Sequence, residues 1–234
     1  MGTEGVVVMT PAKAGAVRDD CPWVQQLAGK FVVFEGPDGS GKTTQYRRFA
    51  ELARAHGVGV CEVREPGGTA ISERVRDVLL DVNHDEMSVR CETLLYMASR
   101  AQLVAERIVP ALVKNELVLA DRFVSSTLAY QGAAGGMSEE EIMHVARVAC
   151  GEVWPDLVVI FDVDEQTAAH RMGLLLDRME AKGAEFHRRV RDGYQHQAMV
   201  EPDRHLVIDA RAGEDAVEGV FLRDLEEWVS RRNA

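Results

Sequence analysis

The chain has 234 residues, of which 46% are apolar and 28% are charged. These proportions are typical of a globular protein, and they exclude the collagen-like, disordered and coiled-coil classes. The formal net charge of −11 at pH 7 argues against duplex DNA or an anionic membrane as the main partner, because both are negatively charged. A small phosphate ligand stays compatible with this charge, since a local site can be basic on an acidic protein.

Hydropathy and cysteine usage indicate the compartment. The sequence contains no apolar run that approaches the ~20 residues needed to span a membrane. The four cysteines include no C-x-x-C pair, and their spacing suits neither a zinc site nor a disulfide framework. Reduced thiols are typical of cytoplasmic proteins. We therefore expect a cytoplasmic protein that acts without a membrane or nucleic-acid partner.

The first 28 residues differ from the rest of the chain. Residues 1–28 are rich in small residues and show no sustained apolar period. We predict a poorly ordered N-terminal extension here, with at most a short helix around residues 23–27. A single domain is expected over residues 29–234.

Beyond residue 28, short apolar runs alternate with longer amphipathic patterns. The predicted strands cover residues 31–35, 58–63, 117–121, 157–162 and 206–209. The predicted helices cover residues 43–56, 71–80, 89–114, 138–149, 165–181, 184–200 and 214–228. Pro110 lies inside the third helical pattern, where it is expected to kink the helix or to start a new turn. Apolar strands that alternate with helices predict an α/β fold with a five-stranded parallel sheet flanked by helices.

A phosphate-binding motif follows the first predicted strand directly. The pattern G-x-x-x-x-G-K-[ST] is formed by Gly36, Pro37, Asp38, Gly39, Ser40, Gly41, Lys42 and Thr43, and is followed by Thr44. Its glycines allow backbone N–H groups to point at a phosphate, and the next helix directs its positive end at the same anion. Lys42 adds a charge near the β- and γ-phosphates, and the Thr43 hydroxyl is a hard ligand for Mg²⁺. The order strand, loop, helix argues against a glycine-rich turn that binds nothing.

Further motifs follow at the ends of the next strands and on the helices. They are R-E-P-G-G-T from Arg64, L-L-Y-M-A-S-R from Leu94, D-R-F-V-S-S-T-L-A-Y-Q-G from Asp121 and F-H-R-R-V-R-D-G-Y from Phe186. The sequence lacks the N-K-x-D motif that is typical of GTP-specific switches. Over residues 31–209 it resembles the thymidylate kinases of the bacterial type.

The resemblance implies a three-layer P-loop NTPase fold with a small helical lid over residues 171–183. It also implies transfer of the γ-phosphate of ATP to dTMP in the presence of Mg²⁺. Relatives are homodimers, and the long helix of residues 89–114 is apolar enough to pack against a copy of itself. The acceptor oxygen of a phosphate is already anionic at neutral pH, so catalysis is expected to consist of in-line positioning and charge neutralisation.

The implied catalytic groups lie at the P-loop and at the end of the third strand. Lys42 faces the donor phosphates, and Asp121 binds Mg²⁺ together with Thr43. Arg122 holds the phosphate of dTMP, for which a guanidinium fork is well suited. The implied dTMP site contains Asp38, Glu65, Arg76, Tyr96, Arg100, Arg122, Thr127, Tyr130 and Gln131.

Several of these side chains have an implied role at the nucleoside. Tyr96 and Arg100 are four residues apart and share a helix face, so that the ring can stack on thymine beside the guanidinium. Arg76 reaches a thymine carbonyl, Asp38 accepts from the sugar 3′-OH, and Tyr130 excludes a 2′-OH. The other readers of base and sugar are Thr127 and Gln131.

Gly39 departs from those family members that carry a catalytic arginine in the P-loop. Members with glycine there usually supply arginines from the lid. Within residues 171–183 the expected catalytic cation is Arg178, with Arg171 as second choice. Asp177 is expected to hold Arg178 by a local pair until the lid closes.

Two other functions stay open at this point. A deoxynucleoside kinase phosphorylates a nucleoside hydroxyl and needs a general base, for which Glu65 is available. The pair of Arg100 and Arg122, directed at an acceptor phosphate, argues against that function. A non-catalytic nucleotide-binding module is the other alternative, since residues 172–176 are poor in charge for a lid.

Overall fold

The computed structural model describes residues 21–171, 178–179 and 182–232. Within these ranges the strands are β1 Phe31–Glu35, β2 Val60–Arg64, β3 Leu117–Asp121, β4 Leu157–Asp162 and β5 His205–Asp209. They form a parallel sheet in the order β2-β3-β1-β4-β5. The predicted five-stranded parallel sheet is confirmed, and the strand ends agree within two residues.

The central strand explains why helices cover the sheet on both sides. All of β1 is buried, and its side chains alternate between the two faces. Phe31 and Val33 belong to one apolar core, whereas Val32 and Phe34 belong to the other. Because each core needs helices to close it, the sheet forms the middle of three layers.

The helices lie on the two faces of this sheet. Those described are α1 Lys42–Ala55, α2 Ala70–Leu80, α3 Val89–Leu103, α4 Val109–Val113, α5 Val124–Thr127, α6 Glu139–Cys150, α7 Glu165–Arg171, α8 Ala184–Val200 and α9 Glu214–Arg232. α1 and α9 cover the face that contains Phe34, through Phe49 and Phe221. α3, α6 and α8 cover the opposite face, where Met97 and Ile142 are buried. The fold is a three-layer α/β fold with the parallel sheet in the middle.

Pro110 interrupts the third helical pattern. α3 ends at Leu103, and Val104–Ile108 forms a π-helical turn before α4. Pro110 has no N–H with which to bond the carbonyl of Glu106, four residues earlier, and a wider turn accommodates that loss. Residues 89–114 therefore form three helical segments, as a proline at this position leads one to expect.

The structure corrects the predicted boundary at residue 28. Pro22–Leu27 forms a 3₁₀-helix, and Trp23, Val24 and Leu27 are buried in the same core as Phe34. The segment is too short to give a sustained apolar period, which is why the sequence did not reveal its packing. The short helix predicted around residues 23–27 is present, but residues 21–28 pack on the core and are not the poorly ordered extension that was expected. Residues 1–20 lie outside the described residues.

Most of the predicted lid also lies outside the described residues. α7 ends at Arg171, and of residues 171–183 the structure describes 171, 178–179 and 182–183. The lid over residues 171–183 and the helix predicted up to residue 181 therefore stay predictions.

Candidate active site

The P-loop lies close against β4 and α7. Gly36 and Gly39 both have positive φ, 143° and 77°. A Cβ at Gly36 would lie 2.5 Å from the Phe161 carbonyl oxygen, and one at Gly39 would lie 2.5 Å from that of Ala168. These distances are too short for a side chain, so the close approach requires glycine at both positions. The same contact leaves no room for an arginine at position 39 in this arrangement.

Lys42, at the start of α1, faces Asp121 at the end of β3. The two meet because β1 and β3 are neighbours in the sheet. The Lys42 Nζ lies 3.3 Å from Oδ1 of Asp121, and the Thr43 hydroxyl donates to Oδ2 at 3.2 Å. A hydroxyl and a carboxylate are hard oxygen ligands of the kind that Mg²⁺ prefers. Ser40 Oγ is buried without a hydrogen-bond partner among the described residues, so this hydroxyl suits a phosphate oxygen.

Arg122 directs its guanidinium across the mouth of the P-loop. Its backbone has a φ of 72°, and its N–H donates to the Phe34 carbonyl at 3.0 Å. The guanidinium pairs with Asp38 and donates to the Gly36 carbonyl at 3.2 Å and to the Tyr194 hydroxyl at 3.0 Å. A planar fork held beside the loop for the donor phosphates suits a second, acceptor phosphate.

Asp38 links the P-loop to the acceptor side. The Tyr130 hydroxyl donates to its Oδ2 at 2.8 Å, and the Arg122 guanidinium lies 5.1 Å from the centre of the Tyr130 ring. Burial acts to raise the pKa of Asp38, but Arg122 and Lys42 outweigh burial and lower it. Asp38 is therefore an ionised acceptor, and its role at a sugar hydroxyl stays a prediction.

Glu35, the last residue of β1, is a site residue that sequence reasoning missed. Its buried carboxylate accepts from the Phe123 N–H at 2.8 Å, from the Ser126 N–H and hydroxyl at 3.1 and 2.6 Å, and from the Tyr194 hydroxyl at 2.9 Å. Burial raises the pKa of Glu35, and the nearby Arg122 offsets only part of that rise. The available signal was an acidic residue that ends an otherwise apolar strand. Glu35 holds the turn that carries Arg122.

A second buried carboxylate, Glu65, pairs with Arg100 at the other end of the site. The Arg100 Nε donates to Glu65 Oε2 at 2.9 Å, and its Nη2 donates to the Thr127 hydroxyl at 3.2 Å. Burial raises the pKa of Glu65 to about 7, although Arg100 acts against this rise. Arg76 of α2 lies alongside and donates to the Pro66 carbonyl at 2.9 Å.

These groups surround a cavity of about 220 Å³. Every residue predicted for the dTMP site lines it, together with Lys42 and Asp121. Tyr130 and Gln131 reach it from a π-helical segment, Leu128–Ala134, which the sequence pattern did not indicate. The lining residues that were not predicted are Arg64, Pro66, Leu80, Phe123, Ser126 and Met179.

Arg178 lies on the acceptor side of the site and not at the P-loop. Its side chain is 7% exposed, pairs with Glu92 of α3 and donates from Nε to the Leu79 carbonyl at 2.9 Å. The buried carboxylate needs a cation, and Arg178 supplies it. The structure therefore does not bring the first predicted lid cation to the donor phosphates. Its expected local partner, Asp177, lies outside the described residues.

Arg171 is the predicted lid arginine that lies beside the P-loop. Its Nη1 donates to the Ala210 carbonyl at 2.9 Å and lies 3.9 Å from the position of a Cβ on Gly41. Its Nη2 donates to the Arg211 carbonyl at 3.2 Å, so that Arg171 holds the loop after β5. Of the two arginines, Arg171 is therefore the one that lies beside the P-loop. A catalytic role for either arginine stays a prediction.

A P-loop at the carboxyl edge of a parallel sheet, faced by an arginine fork in the same cavity, defines a P-loop phosphotransferase. The family model for thymidylate kinase matches residues 34–219. The chain belongs to the thymidylate kinase family.

Individual relatives cover nearly the whole chain. The thymidylate kinase of Pelotomaculum thermopropionicum is 46% identical over 204 residues, which make up 86% of this chain and 94% of that protein. That of Caldanaerobacter subterraneus subsp. tengcongensis is 40% identical, over 87% of this chain and 98% of that protein. The crystal structure of thymidylate kinase from Ehrlichia chaffeensis is 33% identical, with a TM-score of 0.70 over 84% of this chain and 98% of that chain.

Proposed function

We propose that this protein transfers the γ-phosphoryl group of ATP to dTMP and so forms dTDP. The observation that carries the proposal is the cavity that both Lys42 of the P-loop and the fork of Arg122 line. The P-loop provides the donor end, and the fork suits the phosphate of the acceptor. The relatives named thymidylate kinase, which match nearly the whole chain, support the same acceptor.

The reaction needs position and charge more than covalent help. An oxygen of the dTMP phosphate attacks the γ-phosphorus while the bond from that phosphorus to the β-phosphate oxygen breaks. Lys42 stabilises charge on the donor side and Arg122 on the acceptor side. Asp121 orients Lys42 and Asp38 orients Arg122 before the nucleotides bind. Little reorganisation is then left for the transition state.

Mg²⁺ is the metal that the donor end fits. The Thr43 hydroxyl and the Asp121 carboxylate would hold it, directly or through water, because both are hard oxygen ligands beside the P-loop. When bound, the metal neutralises charge on the phosphates of ATP.

The nucleoside of dTMP is expected at the opposite end of the cavity. Asp38, with the Tyr130 hydroxyl bound to it, meets the sugar. The Tyr96 ring stacks on the base, while Arg76 and Gln131 contact its edge. All five line the cavity, and the Glu65–Arg100 pair ties α3, which carries Tyr96, to the end of β2.

A coupled assay with matched acceptors tests the proposal. We expect turnover of ATP with dTMP and none with thymidine, because thymidine gives Arg122 no phosphate to bind. Turnover with thymidine in place of dTMP would instead indicate a deoxynucleoside kinase with Glu65 as base. ATP binding without turnover of either acceptor would indicate a nucleotide-binding module.

We also propose that two copies associate through α2 and α3. Exposed apolar side chains lie on these helices, at Ile71 with 57%, Val78 with 40% and Leu94 with 51% exposure. We expect light scattering to give the mass of a dimer for the wild type and of a monomer for Leu94→Glu. Val148→Glu is the control, since Val148 is 87% exposed on a different helix.

A cytoplasmic location is proposed on the basis of the thiols. All four cysteines lie within the described residues, and none forms a disulfide. Among the helices that the structure describes, none combines the length and apolar character needed to cross a membrane.

A further inference from the structure

Glu92 of α3 is a buried carboxylate that the proposed reaction does not use. Its side chain is 1% exposed, and among the described residues three groups contact it. The Gln131 amide donates to Oε1 at 2.7 Å, Arg178 pairs with Oε2, and Lys182 Nζ lies 3.5 Å from Oε2. Glu92 therefore connects a residue of the cavity wall to two cations from the segment predicted as the lid.

The contact with Glu92 decides which way the Gln131 amide faces. The Nε2 group of Gln131 is turned to Glu92, because a carboxylate paired with a guanidinium accepts hydrogen bonds and donates none. This leaves Oε1 of Gln131 as the group that a base in the cavity meets. A carbonyl oxygen accepts a hydrogen bond and donates none. Thymine offers the N3–H donor that such an acceptor needs, whereas cytosine has an unprotonated N3 acceptor at that position.

Arg178 joins this contact to the rest of the acceptor cavity. Its Nε donates to the carbonyl of Leu79, near the end of α2, while its guanidinium pairs with Glu92 on α3. Its chain neighbour Met179 lines the cavity, as does Leu80. Without Arg178, a buried carboxylate would lose its main counter-charge, and its orientation toward Gln131 would no longer be fixed.

We propose that Glu92 and Arg178 are positioning residues that hold the Gln131 amide in the orientation that selects thymine over cytosine. The inference rests on the proposed function, because it concerns the base of the acceptor nucleotide. It gives Arg178 a role in recognition of the acceptor, because the pairing of Arg178 with Glu92 completes the thymine site.

Glu92→Gln is the most specific test, because it keeps the shape of the side chain. The new amide can donate as well as accept, so the Gln131 amide is free to turn its NH₂ group to the base. We expect the KM for dTMP to rise about tenfold, and the kcat/KM for dCMP relative to dTMP to rise about tenfold, as loss of one well-directed hydrogen bond predicts. The KM for ATP and the kcat at saturating dTMP are expected to change less than about threefold.

Arg178→Met should likewise raise the KM for dTMP and leave the kcat at saturating dTMP nearly unchanged. Arg188→Met is the matched control, because Arg188 pairs only with exposed Glu185 and Asp192 on α8 among the described residues. This control variant should keep the wild-type kcat and the wild-type KM values for dTMP and ATP. Since Arg178→Met leaves Glu92 buried without its main cation, a double variant, Glu92→Met with Arg178→Met, removes both charges together. This double variant is expected to fold and to discriminate between dTMP and dCMP as poorly as the single variants do.

The outcomes separate this inference from the proposed function. Wild-type dTMP KM and wild-type discrimination in Glu92→Gln and in the double variant would overturn the inference. A fall in kcat at unchanged dTMP KM in Arg178→Met would also overturn it, and would make Arg178 a catalytic cation. If the wild type does not phosphorylate dTMP, the proposed function fails; titration calorimetry of dTMP and dCMP with the same variants then decides the inference alone.

Discussion

At the residue scale, carboxylates fix the direction of three cations in the site. Asp121 faces Lys42, Asp38 pairs with Arg122, and Glu65 pairs with Arg100. Glu35 acts one step further back, since it holds the backbone turn from which Arg122 extends. Cations that are already oriented need little rearrangement when charge develops, and such preorganisation is the largest contribution to many enzymatic rates.

Lys42→Ala is expected to lower kcat by at least about 100-fold, because a charge at the donor phosphates is lost and nothing in the loop replaces it. The melting temperature should stay close to that of the wild type, since the described partner of Lys42 is Asp121 at the rim of the site. Lys30→Ala, which removes a lysine paired with Asp156 away from the cavity, serves as control. Retention of more than a few per cent of kcat in the coupled assay would contradict the assignment of the P-loop lysine.

Arg122→Lys is expected to raise the KM for dTMP by about tenfold and to leave the KM for ATP nearly unchanged. Lysine keeps the charge but loses the planar fork. Arginine and lysine at position 122 have the same backbone strain at a φ of 72°, so a difference between the wild type and the variant comes from the side chain. Steady-state kinetics with each nucleotide varied in turn measure the two KM values separately. A shift in the KM for ATP would mean that the donor and acceptor ends are reversed.

The raised pKa of Glu65 predicts a pH dependence of stability. Because its pKa rises from 4.5 to about 7 on folding, the folded state binds this proton more tightly than the unfolded chain does. The free energy of unfolding should therefore fall as the pH rises from 4.5 to about 7. Relative to Glu65→Gln, the wild type is expected to lose about 2 to 3 kcal/mol between pH 5 and pH 8. Urea denaturation of both proteins measures this difference, and a constant difference would show that Glu65 keeps its ordinary pKa.

At the scale of elements, the contact between the P-loop and α7 predicts unequal effects of two glycine substitutions. Gly39→Ala and Gly57→Ala both place a side chain at positive φ, 77° and 80°. A Cβ at Gly39 meets the Ala168 carbonyl at 2.5 Å, whereas a Cβ at Gly57 meets nothing within 4 Å. We expect Gly57→Ala to cost about 1 kcal/mol of backbone strain without loss of activity. Gly39→Ala should be less stable and should raise the KM for ATP; equal thermal shifts and kinetics would rule the contact out.

The strands and the P-loop were predictable because their signals are local. A strand buried on both faces is a short apolar run, and the P-loop is a contiguous motif. The pairing of Arg178 with Glu92 had no such signal, since 86 residues separate the two and Glu92 lies in an ordinary amphipathic helix. The π-helical segment around Tyr130 was missed for a related reason: a wider turn changes hydrogen bonding without changing composition.

At the scale of the whole molecule, the buried segment before β1 predicts a cost for its removal. Trp23 is 6% exposed and packs in the core that α9 closes. Trp23→Ala is expected to cost about 3 kcal/mol or more and to lower the melting temperature by roughly 6 to 12 °C. Val148→Ala on an exposed helix face is the control. Calorimetry measures both variants, and an unchanged melting temperature for Trp23→Ala would contradict the packing of this segment.

The two-sided burial of β1 has a consequence for how the enzyme is made. During synthesis the P-loop strand leaves the ribosome early, but Tyr194, which donates to Glu35, follows 159 residues later. Phe221, which packs on Phe34, comes later still. A nascent chain that ends before α8 therefore contains the whole phosphate motif with uncovered apolar surface and a Glu35 carboxylate that lacks one of its donors. We expect such a fragment to be a target for chaperones and proteases and to be inactive as a kinase, so that interrupted translation would leave no partly active enzyme behind.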